Sequence, residues 1–449
     1  MKGIPLLSTG LDDNPVSEVW TDAAFLEACC AIELSWVQAA ATEGLAEPDV
    51  VEELQAAIER VLAEPKTLSE TTNAVGRPIA PLVDALAKDA SVPLQKVLHL
   101  GLTTQDIIDG AFVLLRDKAQ KVLDQNLSGL IASLFVLSAA HQETAMLART
   151  NDQIAGATTF GLFLTEAAAE LTRAQMRMKE RHKKTRHIQL GGAVGLSMPF
   201  DNHTHKVRKH AGDSLSLKYD PSQSAASRDQ IADYHLSLVL LSDVLARLSE
   251  TIAALQSGAI GELAEQDPGK SSSIPGKQNP RLAERVLVIG DEINSLVPMI
   301  LAATKTRHHR SGLSWQNEWA ATQRLTVLSA DQLGVAAQMI DRLVVNKSHM
   351  LAELIAAGPH AFAEQALVRL SKKVGRHEAL ETLKKSDLYE TKRDIANLLE
   401  PQSQSLAVDP SSANLRATLS KAVFCAKTKQ SEIKLKIGFD EFDGRSRQN

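Results

Sequence analysis

Long stretches without proline dominate the chain, and inside them apolar residues recur at three- and four-residue steps. No proline occurs between Gln105 and Glu143, and Ile108, Phe112, Leu115, Ala119 and Val122 share one face of a predicted helix. A helix of that extent would be roughly 60 Å long. Further proline-free stretches run from Ser222 to Gln266, Arg281 to Val297 and Trp315 to Gly358. Helices of this length predict a central bundle. Runs with alternating polarity are scarce, so the expected fold class is all-α.

Loops separate these stretches. Pro65 to Pro81 carries Gly76 and Pro78, Leu190 to Asn202 holds three glycines and Pro199, and Gly269 to Pro280 is rich in serine. Near Gly358 and Pro359 the segments shorten, which predicts a boundary to a C-terminal domain. The tail after Gly438 is polar, and we expect it to fray. No internal repeat of fixed period is present.

At 449 residues the chain is too long for one typical core, so two or three domains are expected. The net charge of -5 leaves no nucleic-acid footprint or acidic tail. The one basic stretch, Lys179 to His187, follows a helical pattern, where cations favour the negative end of the helix dipole. Cys29, Cys30 and Cys425 lack metal-ligand spacing, which predicts buried thiols in a reducing, cytoplasmic setting. No signal pattern opens the chain, and no apolar run is expected to span a membrane.

Five polar segments could carry chemistry. In Lys270-Ser271-Ser272-Ser273-Ile274-Pro275-Gly276-Lys277-Gln278-Asn279-Pro280, hydroxyls sit in a loop stiffened by prolines. Its backbone amides can grip a carboxylate while a serine oxygen lies close to the neighbouring carbon. On composition alone it reads equally as a surface turn. The threonines of His99 to Asp106 precede a helix, where they cap free amides or leave those amides to an anion. Arg149 to Gln153 reads as a solvated turn between two helices. Gln189 to Gly195 offers backbone that approaches a ligand closely, without a dinucleotide fingerprint. Arg307 to Gly312 holds adjacent histidines, as His203, His205 and His210 do nearby, without a carboxylate at metal-ligand spacing.

Taken together, these segments resemble the fumarase/aspartase superfamily. The serine run is similar to Gly-Ser-Ser-x-Met-Pro-x-Lys-x-Asn-Pro, with Ser271, Ser272, Pro275, Lys277, Asn279 and Pro280 in register. His99 to Asp106 resembles His-x-Gly-x-Thr-Ser-Gln-Asp, Ala148 to Gln153 resembles Gly-Arg-Thr-x-x-Gln, and Gln189 to Gly195 resembles Gln-x-Gly-Gly-Ala-x-Gly. Arg228-Asp229, and Arg310-Ser311-Gly312 with Trp315, Glu318 and Trp319, resemble the 3-carboxy-cis,cis-muconate cycloisomerase branch. Ala363-Glu364 and Val374-Gly375-Arg376 are similar to its closing domain.

The resemblance implies three mostly helical domains, which on this chain would be 1–100, 101–357 and 358–449. It also implies a homotetramer in which each active site draws loops from three subunits. The implied chemistry is addition or elimination beside a carboxylate, without metal or organic cofactor, on a small polycarboxylate. In the cycloisomerase branch, one carboxylate of a muconate closes onto a double bond of the same molecule, in the protocatechuate route of aromatic breakdown.

Carried over by position, Ser271 would be the proton-transfer group and Ser272 would hold the carboxylate that takes up charge. Lys277 and Asn279 would bind carboxylates, Thr103, Thr104 and Gln105 another, and Arg310 a third. Arg149, Thr150 and Gln153 would line the pocket. Asn151 and Ile154 stand where many relatives carry histidine, and Lys270 replaces the signature glycine. Lys270 is expected to add positive charge beside Ser271. A fumarate-eliminating lyase and a non-catalytic paralogue are the alternatives.

Overall fold

The computed structural model describes residues 13–64, 77–222, 225–268, 271–385 and 410–437. Lys270, most of the Pro65 to Pro81 loop and the tail after Gly438 lie outside the described residues. The chain forms two compact units, and their boundaries fall inside helices. One unit comprises residues 1–127, 174–243 and 288–334; the other comprises 128–173, 244–287 and 335–449.

The helix predicted after Gln105 spans Thr104–Ala140, 37 residues, so about 56 Å long. Of its expected apolar face, Ile108, Phe112, Leu115 and Ala119 are buried. The helices Phe160–Lys184, Asp229–Leu255, Arg281–Ser295 and Gly312–Asp341 follow. The basic stretch closes the first of these, with Arg181, His182, Lys183 and Lys184 in its last turn, where cations meet unpaired carbonyls.

The first unit is built around the helix Asp22–Thr42, started by the Thr21 hydroxyl accepting the Ala24 N–H at 3.2 Å. Its Cys29, Cys30, Ile32, Trp36 and Val37 pack with Leu54, Leu82, Leu94, Ile107 and Leu115 in one apolar core. Among the described residues, three helical segments, Asp22–Thr42, Thr104–Ala140 and Arg281–Ala303, are apolar and long enough to cross a membrane by length and composition, where the sequence pattern predicted none. In the first of them, the apolar side chains are spent on this core.

Among the described residues, three small two-stranded sheets punctuate the helices. Strands β1 (Ala145–Thr150) and β2 (Gln153–Thr159) form an antiparallel hairpin, and β3 (His187–Ile188) pairs in parallel with β4 (Lys218–Tyr219). Strands β5 (Leu263–Glu265) and β6 (Leu343–Val345) pair antiparallel. The last pair breaks two stretches expected to be helical. Leu343, Val344 and Val345 favour extended backbone, and Asn346 starts a new helix, Lys347–Ala357, by accepting the His349 N–H at 3.1 Å. Cys29 and Cys30 are buried as expected, but Cys425 is exposed.

Candidate active site

In the first unit, the loop before the Thr104–Ala140 helix is fixed by a carboxylate. Asp106 accepts the Thr103 N–H at 3.0 Å, reaching back over the first helical turn, and the Gly191 and Gly192 N–H groups at 3.1 and 2.8 Å. One buried side chain therefore ties the threonine loop to the glycine loop. Burial pushes its pKa up to about 6, against the three amide donors that favour the charged form. The loops touch closely at Gly192, where a Cβ would stand 2.6 Å from the Gly101 carbonyl oxygen. The glycines expected to approach a ligand thus serve this loop-to-loop contact.

Arg310 completes the junction. Its Nη1 donates to the Thr103 hydroxyl at 3.0 Å, and its Nη2 donates to the Gly192 and Ala193 carbonyls at 3.2 and 3.0 Å. All these partners are neutral, a hydroxyl and two carbonyls. Thr103, Thr104 and Arg310 are half-buried, whereas Gln105 is buried and gives its Nε2 to Asp109 and the Ala225 carbonyl.

The branch-like residues Arg228, Trp315 and Glu318 form a network below these loops. Buried Arg228 pairs with Glu318 through Nε at 2.7 Å and Nη2, and with Asp109 through Nη1 at 2.8 Å. The Trp315 indole N–H donates to Asp109 at 2.8 Å. Burial opposes the Arg228 charge, but Asp109 and Glu318 outweigh it and raise its pKa. A cavity of about 20 Å³ among Asp106, Asp109, Arg116, Arg228 and Glu318 is the size of a single water.

In the second unit, Arg149, Thr150 and Gln153 lie on the β1–β2 hairpin, not on a turn between helices. Asn151 and Asp152 both have positive φ, 50° and 60°, the two-residue turn whose twist matches the strands. Short polar side chains tolerate that backbone. Thr150 and Gln153 are exposed at the tip. Arg149 points instead to fully buried Glu262, meeting its two oxygens at 2.7 and 3.2 Å.

The serine loop belongs to the same unit. The Ser271 Oγ accepts the Ile274 N–H at 3.1 Å and, more weakly, the Ser273 N–H at 3.4 Å. Ser272 and Lys277 are exposed and Asn279 is half-buried. The loop ends where Glu265 accepts the Leu282 N–H at 3.0 Å and caps the following helix. Glu262 precedes β5 and Glu265 ends it, so one short strand anchors both the hairpin and this loop. Among the described residues, no hydrogen bond joins a hairpin candidate directly to a loop candidate.

Sequence reasoning missed Glu262 and Glu265, and the only signal was two carboxylates flanking the apolar pair Leu263-Ala264. It also missed Glu33, buried in an apolar helix, whose Oε1 lies 2.5 Å from His99 Nδ1. Among the described residues, no group of three or more His, Cys, Asp and Glu side chains is placed to hold a metal. A separate hollow of about 810 Å³, with Gln142, Lys347, Phe424 and Lys427 in its lining, contains none of the candidates.

Comparison with known proteins matches residues 14–293 to the Lyase family. A 3-carboxy-cis,cis-muconate cycloisomerase of Bradyrhizobium diazoefficiens is 27% identical over 90% of this chain and 91% of its own. An adenylosuccinate lyase of Methanocaldococcus jannaschii is 26% identical over 85% of this chain and 84% of its own. The solved structure of the 3-carboxy-cis,cis-muconate lactonizing enzyme from Pseudomonas putida is similar with a TM-score of 0.77 and 25% identity, over 93% of this chain and 97% of that one. The mostly helical architecture expected from the sequence is therefore the fumarase/aspartase fold. Family, fold and motif order agree: this chain belongs to the lyase family and is an enzyme of the fumarase/aspartase superfamily.

Proposed function

We propose that the enzyme is a lactonising cycloisomerase acting on 3-carboxy-cis,cis-muconate or a close polycarboxylate. The observation that carries this reading is the Ser271 oxygen cradled by the Ile274 and Ser273 amides. The similarity to named cycloisomerases over nine-tenths of the chain supports it.

In the forward direction, a carboxylate oxygen attacks an alkene carbon and a C–O bond forms. The π electrons move toward the adjacent carbon and into the carboxylate attached to it. The Ser271 hydroxyl then delivers its proton to that carbon, and a C–H bond forms. Solvent restores the serine proton, so one proton is taken up per lactone. A serine alkoxide is costly near neutral pH, and the two amide donors lower that cost, with Lys277 later in the same loop.

In this reading Ser272, Lys277 and Asn279 hold the carboxylate that accepts charge, with Lys277 a point charge. Thr103, Thr104 and Arg310 bind further carboxylates, and Gln105 supports them through Asp109. Thr150 and Gln153 line the pocket, with Arg149 held back by Glu262. We infer a cytoplasmic homotetramer in which several copies contribute loops to each site, following the superfamily's plan.

The second reading is a fumarate-eliminating lyase, favoured by the similarity to the adenylosuccinate lyase. Asn151 and Ile154, neither of them histidine, weigh against it. Purified enzyme mixed with 3-carboxy-cis,cis-muconate should remove the diene absorbance. Fumarate release from adenylosuccinate, with the muconate untouched, would replace the first reading by the second.

A further inference from the structure

His99 and Glu33 form a pair that none of the roles above uses. Glu33 sits on the Asp22–Thr42 helix with no exposed surface. Its Oε1 is 2.5 Å from His99 Nδ1, and its Oε2 is buried with no hydrogen-bond partner among the described residues. A cation beside a buried acidic group offsets the cost of burying it, and the 2.5 Å contact places His99 to supply that charge with a proton on each nitrogen. His99 itself is held at φ 53°, a region uncommon for residues other than glycine, at the start of the threonine loop. Its Nδ1 is committed to Glu33, leaving Nε2 as the nitrogen available to a ligand, and the side chain is 22% exposed.

A tricarboxylate needs several cations, and in this unit Arg228 is consumed by Asp109 and Glu318. We propose that His99, kept as an imidazolium by Glu33, offers its Nε2–H to a carboxylate of the substrate, with Glu33 a positioning residue acting through it. The proposal rests on the reading that the Thr103 loop lines the site. The charged groups acting on His99 are Glu33 from the neighbouring helix and Asp106 from its own loop. Burial opposes the His99 charge, but the two carboxylates outweigh it and raise the pKa.

The test is calorimetric binding of propane-1,2,3-tricarboxylate to the full-length enzyme across pH, with turnover of 3-carboxy-cis,cis-muconate measured in parallel. Wild-type affinity should fall as pH rises through the imidazole titration. His99→Gln, checked for native fold by near-UV circular dichroism, should bind about ten-fold more weakly at low pH, the size of one charge-assisted hydrogen bond. It should also lose the pH dependence, and His99→Asn should behave alike. Glu33→Gln should move the loss of affinity to lower pH. Equal binding by wild type and His99→Gln at every pH, or no binding by the wild type, overturns the proposal. A His99-dependent affinity without muconate turnover would instead sink the cycloisomerase reading and leave the pair standing.

Discussion

Arg149 grips both oxygens of the Glu262 carboxylate, and Glu262 has no exposure to solvent. A bidentate pair of this kind fixes geometry as well as charge. Because Glu262 begins the segment leading into β5, the pair ties the β1–β2 hairpin to the strand that precedes the serine loop.

Removing one partner strands a buried charge. Arg149→Met should destabilise the protein by about 3 kcal/mol, whereas Arg149→Met with Glu262→Leu should recover much of the loss. Urea denaturation of the two variants beside wild type checks this. A double variant no more stable than the single one would show that the ion pair is not what the hairpin depends on.

Ser271→Ala should lower kcat by roughly a thousand-fold while leaving KM within a factor of about three. Lys277→Met should raise KM as well as lower kcat, and Lys277→Arg should rescue it only in part, because a planar fork does not replace a point charge. Steady-state kinetics on the muconate separates these patterns.

Asp106→Asn leaves three amide donors facing one carbonyl oxygen, and the amide's own N–H₂ opposes the others. The expected cost is about 2 kcal/mol at neutral pH. The native carboxyl is pushed up to about 6 from its ordinary value of 3.8. Folding therefore takes up a proton there between those values, and this group's contribution to stability falls as pH rises through that window. The variant should lack that slope in denaturation midpoints measured from pH 4 to 7.

His235 works in the opposite sense. Burial, with Arg116 and Arg228 nearby, lowers its pKa to about 3, and its Nε2 lies 3.0 Å from the Thr322 hydroxyl. It stays neutral in the fold but takes up a proton on unfolding below its ordinary value of 6.5. Its contribution should be lost as pH falls from 6.5 toward 3, by roughly 1.4 kcal/mol per pH unit. His235→Gln should flatten that decline by one proton, read from the pH dependence of the urea midpoint.

Much of this organisation was legible in the sequence, for particular reasons. The Thr104–Ala140 helix follows from the 3.6-residue spacing of Ile108, Phe112, Leu115 and Ala119, a signal that needs no tertiary information. The serine loop was legible because its prolines and hydroxyls are local. The hairpin was not, since Asn151 and Asp152 suit a solvated turn as well as a tight β-turn, and only the pairing of Ala145 with Thr159 decides between them. The Arg149–Glu262 and His99–Glu33 pairs were illegible because each joins residues far apart in the chain. Absence of proline also misled after Asp341, where branched residues and a capping asparagine broke the helix without one.

The central claim is that Ser271 delivers the proton that completes ring closure, and deuterium labelling reads it most directly. Wild-type enzyme turning over 3-carboxy-cis,cis-muconate in D₂O should give a lactone carrying one deuterium, at a single stereochemical position of the carbon beside the carboxylate, by proton NMR. Ser271→Ala should give almost no product under the same conditions. A lactone labelled equally at both positions, or a Ser271→Ala variant that labels as fast as wild type, would contradict the account.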